Sequence, residues 1–324
     1  MRRREFIGLL GTGLTWPVAA PAQQARRTYR LGALYATPRN DAVVPVFFEA
    51  MRRLGFIEGQ NLTVDYRDAY VQHIEKLTEW AAELVNARVD VVTTVGDLGI
   101  RAAQDATKTI PILAITDDMV GAGLVNSMAR PNGNTTGVSI LATELDGKRQ
   151  EILIEAVPGI RRMAALADSS TLTEAKARAL QEAARAHNVE LLIHRVASGD
   201  ELAAVIDMAK SSGATALNVL ASPMLYASRQ TIMDRVAALR LPTMFIFPEQ
   251  AEEGGSVAYG PRVIELWRDV LPRQLAQLFR GATVADVPIE QPTKFELVIN
   301  LKTANAMGVK VPPSLLLRAD KVIE

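Results

Sequence analysis

The sequence contains no cysteine and only three histidines in 324 residues. The first absence removes disulfides, thiolate nucleophiles and any lipid anchor that needs a cysteine at a cleavage point. The histidines, His73, His187 and His194, fall at no metal-ligand spacing and are read as surface or structural residues. An excess of either charge is missing too. The 36 basic residues are matched by 36 acidic ones, which argues against a nucleic-acid partner. The sequence has no G-x-S-x-G elbow, no phosphate loop ending in GK[ST] and no H-E-x-x-H. Gly121-Ala122-Gly123 lacks the third glycine and the acidic ribose partner of a dinucleotide site. No cofactor, no metal and no catalytic residue are therefore expected. Stability must come from burial, for which 48% hydrophobic residues provide the material.

A long, strongly apolar run is also lacking, and this decides how the first residues are read. MRRREFIGLLGTGLTWPVAAPAQQ has three arginines, a weakly apolar stretch from Phe6 to Ala20, and Ala20-Pro21-Ala22 before a polar segment. A spanning helix needs about 20 strongly apolar residues, and this stretch is diluted by Gly8, Gly11, Thr12, Gly13 and Thr15. Residues 1–22 are thus expected to be a signal peptide cleaved near Ala22, not a membrane span. Arg3-Arg4-Glu5-Phe6-Ile7 resembles a twin-arginine export signal, with the general secretory route as the alternative. Removing the leader takes away three arginines and one glutamate and leaves a net charge of about −2. A soluble periplasmic protein is expected.

The remaining residues, about 300, are comfortable for two lobes. YRLGALY (29–35) reads as a strand. Val43, Val46, Phe47, Ala50, Met51 and Leu54 then lie on one helical face, stopped by Gly55. NLTVDYR (61–67), a helix over 74–86, VDVVTTVG (89–96) and IPILAIT (110–116) continue the alternation. Their β-branched runs suit strands buried on both faces of a parallel sheet. After Pro158 the pattern restarts with strands RMAALAD (162–168), VELLIHRV (189–196), ATALNVLA (214–221) and PTMFIF (242–247). Helices near 173–187, 200–210 and 226–239 separate them. Two doubly wound α/β lobes of the same class follow.

Ligands of open parallel sheets collect beyond the carboxyl ends of the strands, where helix N-termini present free N–H groups. In the first lobe those ends carry Tyr35, Thr37 and Asn40, then Gly96 and Asp97, then Asp117 and Asp118. In the second they carry Asp168, Ser169 and Ser170, then Ser222, then Phe247 and Glu249. Adjacent Asp117 and Asp118 suit a ligand ammonium, a helix cap or, less readily, Mg²⁺. Tyr35, Phe247 and Tyr259 suit an aromatic wall or the core. A carboxylate would be held by backbone N–H groups at Ser169, Ser170 and Ser222, and an amine by Asp117 or Asp97.

Four stretches carry a family resemblance: MRRREFIGLL, FFEAMRRLGFIEGQNLTVDYR (47–67), GLVNSMARPNGNTTGVS (123–139) and PIEQPTKFELVINLKTANAMGVKVPPSLLLRADKVIE (288–324). In these the chain resembles the substrate-binding proteins of ABC importers, of the tryptophan/tyrosine type. The resemblance implies the type I periplasmic binding fold, two Rossmann-like lobes that close on a ligand about a three-strand hinge. It places the crossovers at 137–140, 256–260 and 295–300, with the second lobe's first helix starting near Gly147. One lobe is then residues 28–138 with about 259–294, and the other 139–258 with about 295–324. It implies a small-molecule ligand such as an amino acid, a permease in the inner membrane as partner, and a monomer. The chain reads Asp118-Met119-Val120 where relatives often have Asp-Pro-Val, and Gly96-Asp97-Leu98-Gly99 where they have Gly-Thr-Pro-Ala. The extra carboxylate of Asp97 points to an amine, a guanidinium or hydroxyl groups. A periplasmic α/β enzyme, or a sensor docking on a membrane receptor, stands as the alternative.

Overall fold

Strands buried on both faces need apolar side chains at nearly every position, and two groups of such strands organise this chain. A computed structural model describes residues 27–68, 72–141 and 143–324; the expected signal peptide lies outside the described residues. The first sheet holds β1 (Tyr29–Leu34), β2 (Leu62–Arg67), β3 (Val91–Val95), β4 (Ile112–Thr116) and β5 (Thr135–Ser139). Its strands are all parallel, in the order β2-β1-β3-β4-β5. The second sheet holds β6 (Arg162–Asp168), β7 (Glu190–Val196), β8 (Leu217–Val219), β9 (Thr243–Phe245), β10 (Val257–Gly260), β11 (Glu296–Asn300) and β12 (Lys321–Ile323). Its order is β12-β11-β10-β9-β8-β6-β7, and among the described residues β10–β11 is its one antiparallel pair.

Helices cover both faces of each sheet. On the first, helices Val43–Arg53 and Leu271–Phe279 bury Phe47, Met51, Leu275 and Phe279 against β1, while Leu77–Asn86 and Gly96–Ala106 cover the opposite face. On the second, Asp146–Ala156 and Glu174–Ala186 pack on one face and Leu202–Ser211 and Arg229–Ala238 on the other. The chain is an α/β protein of two doubly wound lobes.

Most elements match their sequence patterns to within two residues, and the misses have local causes. The expected helix 226–239 is two helices, Pro223–Ala227 and Arg229–Ala238. Ser222 caps the first by accepting from the Met224 and Leu225 amides, and Pro223 fills the first helical position, so helix starts earlier than the apolar period shows. The strands expected over 214–221 and 242–247 shorten to three residues each, because the chain leaves the sheet toward the cleft.

The chain passes between the sheets after β5, after β10 and before β11. Arg262, just beyond β10, pins two of these crossings together by pairing with Glu296 at 2.6 Å and Glu252 at 3.1 Å. Gly260 is demanded here: a Cβ would lie 2.1 Å from the Ile246 carbonyl oxygen. Arg149, wholly buried, joins two crossings as well, donating to the Tyr259 carbonyl at 2.7 Å and pairing with Asp146 at 3.1 Å.

Candidate functional site

In both sheets the strand order reverses beside the first strand of the lobe, and ligands of such sheets bind at that switch point. The carboxyl ends of β1, β3 and β4 face those of β6, β8 and β9 across a cavity of about 140 Å³. Gly96 opens one wall. Its φ of +72° turns the chain straight from β3 into helix Gly96–Ala106, so the first turn of that helix borders the cavity.

The cavity has a lining of two kinds. Val43, Ile246, Phe247, Val263, Tyr226 and Trp267 give it an apolar, aromatic side. Tyr226 and Phe247 meet edge to face, with ring centres 5.6 Å apart. Trp267 sits in a π-helical turn, Leu266–Val270, and is braced from behind by Tyr35 at 5.0 Å. Such turns recur at functional sites because the extra residue re-aims a side chain. The rest of the lining is polar: Thr37, Asp97, Thr116, Asp117, Lys176 and Ser222. Asp117, after β4, pairs with Lys176, on the second lobe's helix Glu174–Ala186, at 3.2 Å. This ion pair crosses the cleft. A second one, Asp41–Arg229 at 2.8 Å, crosses it beside Tyr226 and is nearly buried, with side chains 5% and 14% exposed. The Arg229 guanidinium also lies over the Tyr226 ring, 4.6 Å from its centre.

An adjoining compartment of about 480 Å³ shares Gly96, Asp97, Thr171 and Pro223 with the first and continues past Arg101, Asp168, Ser169 and Ser170. Of the residues expected to contact a ligand, then, Thr37, Gly96, Asp97, Asp117, Ser222 and Phe247 line the inner cavity. Asp168, Ser169 and Ser170 line the outer one with Gly96 and Asp97. Two of the three amides assigned to a carboxylate are engaged elsewhere: Ser169 N–H donates to the Val196 carbonyl and Ser170 N–H to Asp168. Asp168 also accepts from the Ser170 hydroxyl at 2.7 Å and the Ser222 hydroxyl at 2.6 Å.

The remaining residues sit outside both compartments. The Tyr35 hydroxyl donates to Thr93 at 2.9 Å, and burial pushes its phenol well above the usual range. Asp118 accepts from the Val120 and Gly121 amides and so caps its own turn. Glu249 accepts from the Ile264 amide at 3.1 Å, which places it at the start of a helix rather than in the cleft; burial raises its pKa. Tyr259 packs in the core of the second lobe, and exposed Asn40 borders neither compartment.

Lys176, Trp267 and Tyr226 line the cavity without having been singled out in the sequence. Lys176 looks like any basic residue near the start of an amphipathic helix. Trp267 lies after a crossover, far in sequence from the strand ends it serves. Position directly after a strand marks neither residue.

The model of a family described as ABC transporter substrate binding protein matches residues 34–323. The chain belongs to this family. The resemblance read from the sequence is borne out, and the protein is a substrate-binding protein rather than an enzyme. It is similar to a tyrosine-binding protein of Clostridioides difficile (strain R20291), 24% identical over 285 residues that span 86% of this chain and 80% of the relative. Among solved structures it is similar to an ABC domain from Streptococcus pneumonia in complex with L-Trp. That likeness has a TM-score of 0.78 at 22% identity and covers 91% of this chain and all (100%) of the other. A ligand-free, open substrate-binding protein with adhesive properties from Clostridium difficile gives 0.59 at 20% identity, covering 92% and 99%. A glucose-galactose binding protein of Geobacillus stearothermophilus shares the architecture too, at a TM-score of 0.59, 14% identity, and coverage of 84% and 98%. The fold is that of the type I periplasmic binding proteins.

Proposed function

We propose that this substrate-binding protein is the exported, periplasmic component of an ABC importer. In this reading it captures a small solute with a planar apolar body and a polar head, of the aromatic amino acid class. The observation that carries the ligand class is the mixed lining of the cavity, aromatic Trp267, Phe247 and Tyr226 together with polar Thr37, Asp97 and Asp117. The tyrosine-binding relative and the L-Trp complex support the same class.

Closing the lobes would bring together the two cross-cleft pairs, Asp117–Lys176 and Asp41–Arg229, and remove the ligand from water. The conformation described here is read as the closed one, which the higher TM-score to the L-Trp complex than to the open relative supports. The closed form is then what a permease in the inner membrane would recognise. Export by the leader of residues 1–22, through the twin-arginine or general secretory route, belongs to this reading.

A melting-temperature series of the purified protein with L-tryptophan, L-tyrosine, L-phenylalanine, L-leucine and glucose tests it. A ligand at 100 times its Kd adds about 2.7 kcal/mol, which raises the midpoint of a protein this size by several degrees. A shift with aromatic amino acids above those with leucine and glucose is expected. No shift with any aromatic member, or an aromatic shift no larger than those with leucine and glucose, would overturn the aromatic reading.

A further inference from the structure

The cleft holds an unbalanced set of charges. Asp97, Asp117 and Asp168 border its two compartments, against Lys176 and Arg101. Two of the three carboxylates are already engaged. Asp117 has its cation in Lys176, and Asp168 has both oxygens occupied by Ser170 and Ser222. Arg101, one turn beyond Asp97 on the same helix, directs its guanidinium to the Ala122 carbonyl instead, at 2.5 Å.

Asp97 is left in a different position. It is half-buried, and among the described residues it has no ion-pair partner. One of its carboxylate oxygens accepts from the Thr116 hydroxyl. It is also one of the few residues common to both compartments, at the neck between the aromatic cavity and the outer one. Its place in the first turn of helix Gly96–Ala106 accounts for a negative charge there, since a helix N-terminus favours one. It does not account for a carboxylate turned to the cavity with a hydrogen-bonded hydroxyl fixing one oxygen and no cation on the other.

We propose that Asp97 is the ammonium receptor of the site, and that the cleft selects a ligand by its amine rather than by its carboxylate. With Asp117 neutralised by Lys176, the cleft is one negative charge in excess, and the bound amine restores balance. The Asp117–Lys176 pair is then a bridge between the lobes and leaves the ligand's ammonium to Asp97. The ligand class that follows is an aromatic primary amine or an amino acid with its ammonium free, and a bare carboxylic acid is rejected. This inference rests on the solute-binding reading above but not on the aromatic body of the ligand.

The test is calorimetric titration of the full-length protein with two matched series: tryptamine, L-tryptophan and indole-3-propionate, and isoamylamine, L-leucine and isocaproate. Each is run on the wild type and on Asp97→Asn, which keeps an oxygen for the Thr116 hydroxyl to bond. In whichever series binds, the amine should bind at least as tightly as the amino acid, and the acid at least 100-fold more weakly. Asp97→Asn should weaken the amine 10- to 100-fold, the range of a charged hydrogen bond, at an unchanged melting temperature. Binding in the aliphatic series alone would support the role of Asp97 and overturn the aromatic reading. Tightest binding by an acid, an amine affinity indifferent to Asp97→Asn, or no binding by either amine would overturn the inference.

Discussion

Replacing Arg229 by Gln asks whether the outer ion pair holds the lobes together. Asp41 and Arg229 are almost out of water, so Arg229→Gln leaves the Asp41 carboxylate without its cation as long as the cleft stays shut. In a rigid core, breaking such a pair costs about 3–5 kcal/mol, because the surviving charge cannot escape. In the proposed hinge motion it can escape, since opening the lobes would return Asp41 to solvent. The cost is therefore capped by the free energy of opening, and it should appear in binding rather than in folding. A loss of about 2 kcal/mol, close to a 30-fold rise in Kd, is the expected size for one charged hydrogen bond that exists only in the closed form. Asp41→Asn should be milder, because Arg229 keeps Glu253 at 2.8 Å and its place over the Tyr226 ring. Titration calorimetry on both single variants and the double variant gives the coupling, and small-angle scattering gives the compactness with and without ligand. Wild-type affinity in Arg229→Gln, or single effects that simply add in the double variant, would refute the reasoning.

Two further outcomes follow from the packing and the buried charges. Trp267 is 5% exposed and rests edge to face on Tyr35 and Phe47, so Trp267→Ala should cost roughly 3 kcal/mol of stability and weaken aromatic ligands at least tenfold; a stability loss with unchanged affinity would remove Trp267 from the binding wall. Burial pushes the Asp146 carboxyl up to about 6, with the Arg149 guanidinium opposing and Asp117 adding to the rise. The native state then holds a proton that the unfolded chain has lost between about pH 4 and 6, so this group's contribution is full below about pH 4 and is lost as pH rises through 6. Urea unfolding at pH 4, 5 and 6 should show a less negative pH slope in Asp146→Asn than in the wild type, and equal slopes would show that folding does not raise the pKa of Asp146.

The lobes were legible because buried parallel strands leave a one-dimensional trace. RMAALAD is apolar at all but its two ends and VELLIHRV is apolar at five of its eight positions, and β6 and β7 begin and end within a residue of those runs. Helix Val43–Arg53 was equally plain from its period of apolar residues. Failure came where a side-chain hydrogen bond, not a periodicity, set a boundary. Ser222 and Pro223 start a short helix that no hydrophobic pattern announces.

The site was legible only as a set of places. The strand ends named the right loops, since six of the fourteen candidates line the inner cavity, but the loops do not say which way a side chain turns. Asp117 and Asp118 show the difference. They are adjacent, equally acidic and both beyond β4, yet one bridges to Lys176 across the cleft while the other folds back onto the Val120 and Gly121 amides. A capped turn needs only neighbours within three residues, and a sequence can show those. A bridge between lobes needs a partner 59 positions away, and its cation is one of 36 basic residues. The charge state of the cleft is thus a property of the fold. Only when Lys176, Arg101 and the Ser170–Ser222 hydrogen bonds are placed does Asp97 stand out as the carboxylate still available to a ligand.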